Sequence, residues 1–351
     1  MTFLLVFAIS FLLAAVATPL AGKLGKQLGL VAVPGGRRQH AGTIPVTGGV
    51  GLFIGFFATA LGLYLFAPLK SDHVFPLTGV LAGTAFVFLA GLADDKYEFK
   101  PGPQLIAQIV AAFVAIAFTV WIQEVTLPIF GKQIFPWYIT YPLTIAWVVG
   151  MMNTVNLLDG LDGLASGVGA IAALLFAIHS YSRWQQQDTP LYSLALAGAC
   201  LGFLVFNFHP ARAFLGSAGA MTLGFALATL SILTPARVAT ALLVMAIPIA
   251  DAAFQLFDRW RRGQSPGQGD RGHLHYRLMD LGLSQRQIVL GYWGFCAVFG
   301  ALALFIPAPN YKLMAIGVLG LLVVAVLVML SRRQKSQSPN PKSQTSNSRP
   351  D

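Results

Sequence analysis

The sequence predicts an all-α polytopic membrane protein of about eleven transmembrane helices, with ten as the lower count. Three observations predict it. Of 351 residues, 56% are hydrophobic and only 10% are charged, whereas a soluble domain carries about 25% charged residues. Mean hydropathy is +0.69. Eleven runs approach the roughly 20 apolar residues needed to cross about 30 Å of hydrocarbon. Too little polar surface remains to cover a water-soluble globule, so much of the solvent is lipid bilayer. The same figures exclude a disordered, collagen-like, coiled-coil or disulfide-stapled chain.

The runs lie at 2–22, 48–68, 75–93, 105–123, 137–155, 163–182, 191–208, 218–234, 238–257, 287–306 and 312–330. Ala15-Val16-Ala17 resembles a signal-peptide cleavage site, but no basic residue precedes the first run and Lys23 follows it. A signal peptide carries its charge before the apolar core, so this is a retained helix with its N-terminus outside. The inner loops are then 23–47, 94–104, 156–162, 209–217 and 258–286, with a tail from 331. They hold 18 of the 23 Lys and Arg, against 5 outside. The positive-inside rule therefore accounts for the net charge of +10, and no nucleic-acid partner is needed. Residues 1–330 read as one membrane domain, and 331–351 as a disordered cytoplasmic tail. Outside, the apolar stretches around Gly131-Lys132 suggest a short hairpin. Cys200 and Cys296 sit in apolar runs and read as buried thiols.

Nine of the 13 acidic residues and four of the six histidines fall on the inner side. Transporters more often keep such groups near the middle of the membrane. The pattern is that of a membrane-embedded enzyme working at its inner, cytoplasmic interface.

Five clusters carry the chemistry. Asp94 and Asp95 end the third run in GLADDKYEF; adjacent carboxylates repel and call for a cation or a raised pKa. Oxygen ligands with open positions suit Mg²⁺ and a phosphate, although the pair is also a helix end meeting water beside Lys96. In NTVNLLDGLDGLASG, glycine packing explains Gly163 and Gly167. It does not explain Asn153, Asn156, Asp159 and Asp162. Asn207, His209 and Arg212 precede a glycine-rich helix start whose N–H groups suit an anion, or a Pro-terminated helix with an Arg anchor. The loop 257–284 offers Arg259, Arg261, Arg262, Arg271 and Arg277 with His273 and His275, and arginines grip phosphates. The segment 35–49, with Arg37, Arg38 and His40, either holds phosphate or only orients the first two runs. Asp251, a carboxylate inside a run, is as compatible with a structural partner as with a catalytic role.

The order of these motifs resembles the polyprenyl-phosphate N-acetylhexosamine-1-phosphate transferases, over nearly all of residues 20–285. The most specific parts are Asp94-Asp95 followed by Gln108, the NTVNLLDGLDGLASG run, Asn207 with PARAFLGSAG, and DRGHLHYRL. The resemblance implies transfer of a sugar 1-phosphate from a UDP-HexNAc to undecaprenyl phosphate, releasing UMP, as a first membrane step of cell-envelope glycan synthesis. It implies a bacterial inner-membrane location, Mg²⁺ (or Mn²⁺) as cofactor and a homodimer. Asp94, Asp95, Asp159 and Asp162 become catalytic candidates, and Asp94, Asp95 and Asp159 metal ligands. Asn153, Asn156, Asn207, Arg271, His273, His275, Arg277, His40 and Arg38 become substrate-binding candidates. HLHYRL is similar to the N-acetylglucosamine branch, which favours UDP-GlcNAc, though Tyr276 replaces that branch's last histidine.

The chain departs from the family pattern at three places. Ser217 stands where a metal-binding Asp is usual, Ala32 where an Asp is common, and Gln104 where a Lys is common. Two alternatives follow from Ser217: a catalytically impaired relative, or a lipid-linked sugar carrier without chemistry.

Overall fold

The computed structural model describes residues 1–32, 43–127, 131–184, 188–233, 236–263, 272–306 and 309–337. Among them are thirteen helices and two short hairpins. The helices are α1 (Thr2–Gln27), α2 (Gly48–Phe66), α3 (Ser71–Tyr97), α4 (Pro101–Ala117), α5 (Trp137–Leu158), α6 (Leu164–Trp184), α7 (Thr189–Asn207), α8 (Gly216–Ile232), α9 (Ala236–Val244), α10 (Ala246–Arg261), α11 (Leu274–Asp280), α12 (Gln285–Phe305) and α13 (Pro309–Gln337). The protein is thus a polytopic all-α membrane protein.

The apolar runs fall largely within helices, though not all as straight ones. Among the described residues, six helices (α1, α2, α3, α6, α7 and α12) are long and apolar enough to cross a membrane, or seven spans counting α9 and α10 together. The expected single run 238–257 is bent by 77° between Val244 and Ala246. Pro248 explains the break: it lacks the N–H that would bond the Val244 carbonyl, and its ring crowds that carbonyl. Proline is tolerated in the first turn of the helix that follows. The short α11 lies in the loop where no helix was expected.

Local signals set the other ends. Pro101 opens α4 at a position whose N–H has no helical partner in any case. Ser284 and Gln287 form a reciprocal capping box at the start of α12. β3 (Glu124–Leu127) pairs antiparallel with β4 (Gly131–Ile134), the hairpin expected around Gly131-Lys132. β1 (Val31–Ala32) and β2 (Ile44–Pro45) form the second ladder.

The core is built on α7 and α8. α8 is buried at every residue from Ala218 to Ser231 and packs on α3, α5 and α2; α7 packs on α1, α2 and α6. The Ser10 hydroxyl of α1 sits between the carbonyls of Gly55 on α2 and Ala195 on α7, at 3.0 and 2.5 Å. A hydroxyl between two helix backbones satisfies itself without water, as hydrocarbon surroundings demand.

Candidate active site

Four polar segments meet at one end of the bundle: the end of α3, the α5–α6 turn, the start of α8, and α11. Backbone bonds fix the scaffold between them. Gly48 and Gly49 donate to the carbonyls of Phe214 and Leu215, and Phe214 donates to Pro45, so the start of α2 and the loop before α8 form one unit.

Asp95 spans α3 and α8. Its Oδ1 accepts from Ser217 N at 2.7 Å and its Oδ2 from Ala218 N at 3.0 Å, and the Ser217 hydroxyl also hydrogen-bonds to it. These are N–H groups of the first turn of α8, which have no helical acceptor. The anion that the glycine-rich helix start was expected to hold is thus the protein's own carboxylate. Gly216 permits this: its φ is +68°, and a Cβ there would lie 2.3 Å from Val46 O and 2.9 Å from Asp95 Oδ2.

Asp94 points elsewhere. Its Oδ1 accepts from Phe99 N at 3.0 Å and its Oδ2 from Gln104 Nε2 at 3.4 Å, which holds the α3–α4 turn. Lys96 does not neutralise the pair; it lies over the Tyr97 ring, 5.2 Å from the centroid.

In the α5–α6 turn, Asp162 is bound and Asp159 is not. Asp162 Oδ2 is 2.8 Å from His209 Nδ1 and accepts from Ala211 N at 3.1 Å. The half-buried Asp159 carboxylate has no hydrogen-bond or ion-pair partner among the described residues. Burial, then the Asp162 and Asp95 carboxylates, hold its pKa well above the usual carboxylate range. Among the described residues, no three His, Cys, Asp or Glu side chains converge as a closed metal cage. An open site suits Mg²⁺ better, since that ion uses one or two carboxylates and completes its shell with water and phosphate. An unpaired carboxylate between two others fits that role.

The expected substrate residues divide. Asn153 Nδ2 donates to Gln108 Oε1 at 2.7 Å, joining α5 to α4, and Asn156 has no side-chain partner among the described residues. Asn207, 2% exposed, is turned wholly inward. Its Oδ1 accepts from Gly163 N and Ser166 Oγ at 3.0 and 2.9 Å, and its Nδ2 donates to Ala213 O at 3.1 Å. Arg277 is buried too, with Nε on Gly272 O at 2.6 Å and Nη1 reaching Leu327 O at 3.3 Å. His273 Nδ1 is 3.0 Å from Asp251 Oδ2. His275 is 1% exposed with no partner on Nε2 among the described residues. Burial pushes its pKa down to about 4, against the Asp251 charge that would raise it. Arg38, His40 and Arg271 lie outside the described residues.

Two residues of this region escape the motif reading. Arg286 donates to His209 O from Nε and Nη2, at 3.3 and 3.1 Å. Tyr292 on α12 brings a buried hydroxyl, unpartnered among the described residues, to the small cavity lined by Asp251 and His275. A tyrosine inside an apolar run gives no signal of this.

Residues 77–235 match glycosyl transferase family 4. The chain is 32% identical over 339 residues to a decaprenyl-phosphate N-acetylglucosaminephosphotransferase of Mycolicibacterium smegmatis, covering 88% of this chain and 82% of that one. It is 29% identical over 310 residues to a probable undecaprenyl-phosphate N-acetylglucosaminyl 1-phosphate transferase of Bacillus subtilis, with 87% and 85% covered. It is 32% identical over 325 residues to a phospho-N-acetylmuramoyl-pentapeptide-transferase of Bacillus licheniformis, with 87% and 96% covered. Likeness of this degree along most of each chain, across the segments that bring these carboxylates together, means that the chain belongs to glycosyl transferase family 4, among the polyprenyl-phosphate N-acetylhexosamine-1-phosphate transferases.

Proposed function

We propose that this chain transfers GlcNAc 1-phosphate from UDP-GlcNAc to undecaprenyl phosphate at the cytoplasmic face of a bacterial inner membrane. A lipid-phosphate oxygen attacks the β-phosphorus of the donor, the bond to UMP breaks, and a lipid diphosphate sugar remains. The membrane orientation that supports this has the N-terminus outside, the C-terminal tail inside and one domain over 1–330.

The observation that carries the reading is the Asp159 carboxylate, unpaired beside Asp95 and Asp162. Such a group is costly unless a cation or a protonated partner meets it. Mg²⁺ or Mn²⁺ would be held by Asp159, with water and phosphate oxygens completing its shell, and would screen the phosphates' charge as they approach. The chain's own residues do the rest. Asp162 fixes the His209 loop, the neutral His275 faces the turn between the two carboxylates, and Asp94 holds the α3–α4 corner. Phosphoryl transfer needs little more than such positioning and charge compensation.

A second reading, a catalytically impaired relative or a lipid-sugar carrier, is favoured by one observation: Ser217 supplies no carboxylate, and its N–H occupies Asp95. The test is lipid-product formation by purified protein in detergent, given undecaprenyl phosphate, labelled UDP-GlcNAc and Mg²⁺. Labelled lipid diphosphate that disappears in Asp159→Asn supports the enzyme. Donor binding without product, in wild type and Ser217→Asp alike, supports the carrier.

A further inference from the structure

A buried carboxylate is costly unless it is paired and hydrogen-bonded, and Asp251 sits on α10 at 5% exposure. Both its oxygens are used on one target. Oδ2 is 3.0 Å from His273 Nδ1, and Oδ1 accepts from Leu274 N at 3.0 Å. One turn along α10, Gln255 donates to Gly272 O, which also accepts from Arg277 Nε. One edge of α10 therefore seats the start of α11. α11 has seven residues, too few to hold a helix unaided, so its place depends on such contacts.

The consequence falls on His275. Its ring lies parallel to that of His273, with centroids 5.7 Å apart. Its unpartnered Nε2 faces the backbone of Gly160, where a Cβ would lie 2.5 Å from that atom and 3.1 Å from Tyr276 Oη. Gly160 stands between Asp159 and Asp162. A buried ring nitrogen without a partner, aimed at the acidic turn, is placed to meet a ligand there.

We propose that Asp251 and His273 are positioning residues, which act through α11 to hold His275 Nε2 against the Asp159–Asp162 turn for the nucleotide-diphosphate part of the donor. The proposal rests on the function given above and divides the histidines: His275 meets the donor, and His273 acts through its contact with Asp251. Donation of His273 Nδ1–H to a carboxylate fixes its tautomer, as outer partners do around metal-bound histidines. Asp251→Asn turns an N–H toward Nδ1 and forces the other tautomer, while its amide oxygen still serves Leu274. His273→Gln leaves the Leu274 bond untouched.

The experiment uses the full chain in detergent. KM is measured separately for UDP-GlcNAc and for undecaprenyl phosphate, and histidine acylation by diethyl pyrocarbonate is mapped by mass spectrometry. Asp251→Asn and His273→Gln are each expected to raise the donor KM about tenfold and leave the acceptor KM unchanged. The double variant is expected to be no worse than the weaker single one. His275 is expected to be acylated at least about fivefold faster in both variants, with the buried His179 unaffected. Unchanged donor KM in an active enzyme overturns the proposal. So does unchanged His275 acylation, which decides the matter even if the wild type binds no donor and the functional reading itself fails. If Asp251→Asn does not fold, His273→Gln alone carries both outcomes.

Discussion

Asp95 Oδ1 accepts a 2.7 Å hydrogen bond from Ser217 N, so a carboxylate from the end of α3 caps α8 across the core. Two N–H donors and the positive end of the helix dipole both favour its charge. An aspartate at 217, usual in the family, would set a second carboxylate against the first. Serine avoids that repulsion.

Ser217→Asp is therefore expected to restore cation demand. Without divalent ions its melting temperature in detergent should fall below that of the wild type, from like-charge repulsion. Added Mg²⁺ should raise it more than it raises the wild type. The Mg²⁺ concentration for half-maximal turnover should drop by about tenfold, the equivalent of about 1.4 kcal/mol. Identical Mg²⁺ responses in the two proteins would contradict a metal role for this position.

Asp159→Asn separates stability from function. The folded-state pKa of Asp159 is raised, first by burial and then by Asp162 and Asp95. Ionisation is thus disfavoured in the folded chain, and the charge destabilises it wherever the unfolded carboxyl is ionised. Removing that charge at pH 7 is expected to raise the melting temperature while lipid-product formation falls by at least about a hundredfold, the mark of a strained functional site. A variant that is both less stable and fully active would remove Asp159 from the site.

The pH dependence follows from His275. Its pKa is about 4 in the folded protein, lowered chiefly by burial, against about 6.5 unfolded. Above pH 6.5 both states are neutral and stability is unaffected. As pH falls from 6.5 toward 4, the unfolded chain takes up a proton that the folded chain refuses, and stability declines. From pH 7 to 5.5 the loss is about 1 kcal/mol. The wild-type melting temperature should fall over this range more steeply than that of His275→Gln. Parallel curves would mean that His275 is protonated as readily in the folded protein as in the unfolded one.

Asp94 and Asp95 were legible because two carboxylates at the end of an apolar run stand out against it, as did Asp159 and Asp162 between two runs. Their division of labour was not. Asp95 meets Ser217 and Ala218, more than 120 residues away, and no local pattern distinguishes it from Asp94, which bonds within its own turn. Asp251 was visible as a misplaced charge, but its partner His273 lies beyond a loop of low hydropathy. The bend near Met245 was hidden in a continuous apolar run. Pro248 alone could not reveal it, since Pro19, Pro76 and Pro142 lie inside unbroken helices. Asn207 looked like a substrate ligand for a simple reason: a carboxamide at a membrane interface has the same appearance whether it faces water or the core.

That last residue gives the final prediction. Asn207 uses both functional atoms inside the protein, on Gly163 N, Ser166 Oγ and Ala213 O. Asn207→Ala leaves a buried N–H and a buried carbonyl unpaired, each costing about 1–3 kcal/mol. The α5–α6 turn and the loop before α8 would then lose their common clamp. A large drop in melting temperature is expected. Enzyme that remains folded at low temperature should keep its donor and acceptor KM within about twofold, because Asn207 is 2% exposed and turned away from both substrates. Asn207→Asp sharpens the distinction. Its oxygen still accepts from Gly163 and Ser166, but the other oxygen faces the Ala213 carbonyl with a buried charge and no donor, so it should be no more stable than the alanine variant. A substrate-binding asparagine would give the opposite pattern, with near-native melting of Asn207→Ala and a donor KM raised by about tenfold or more.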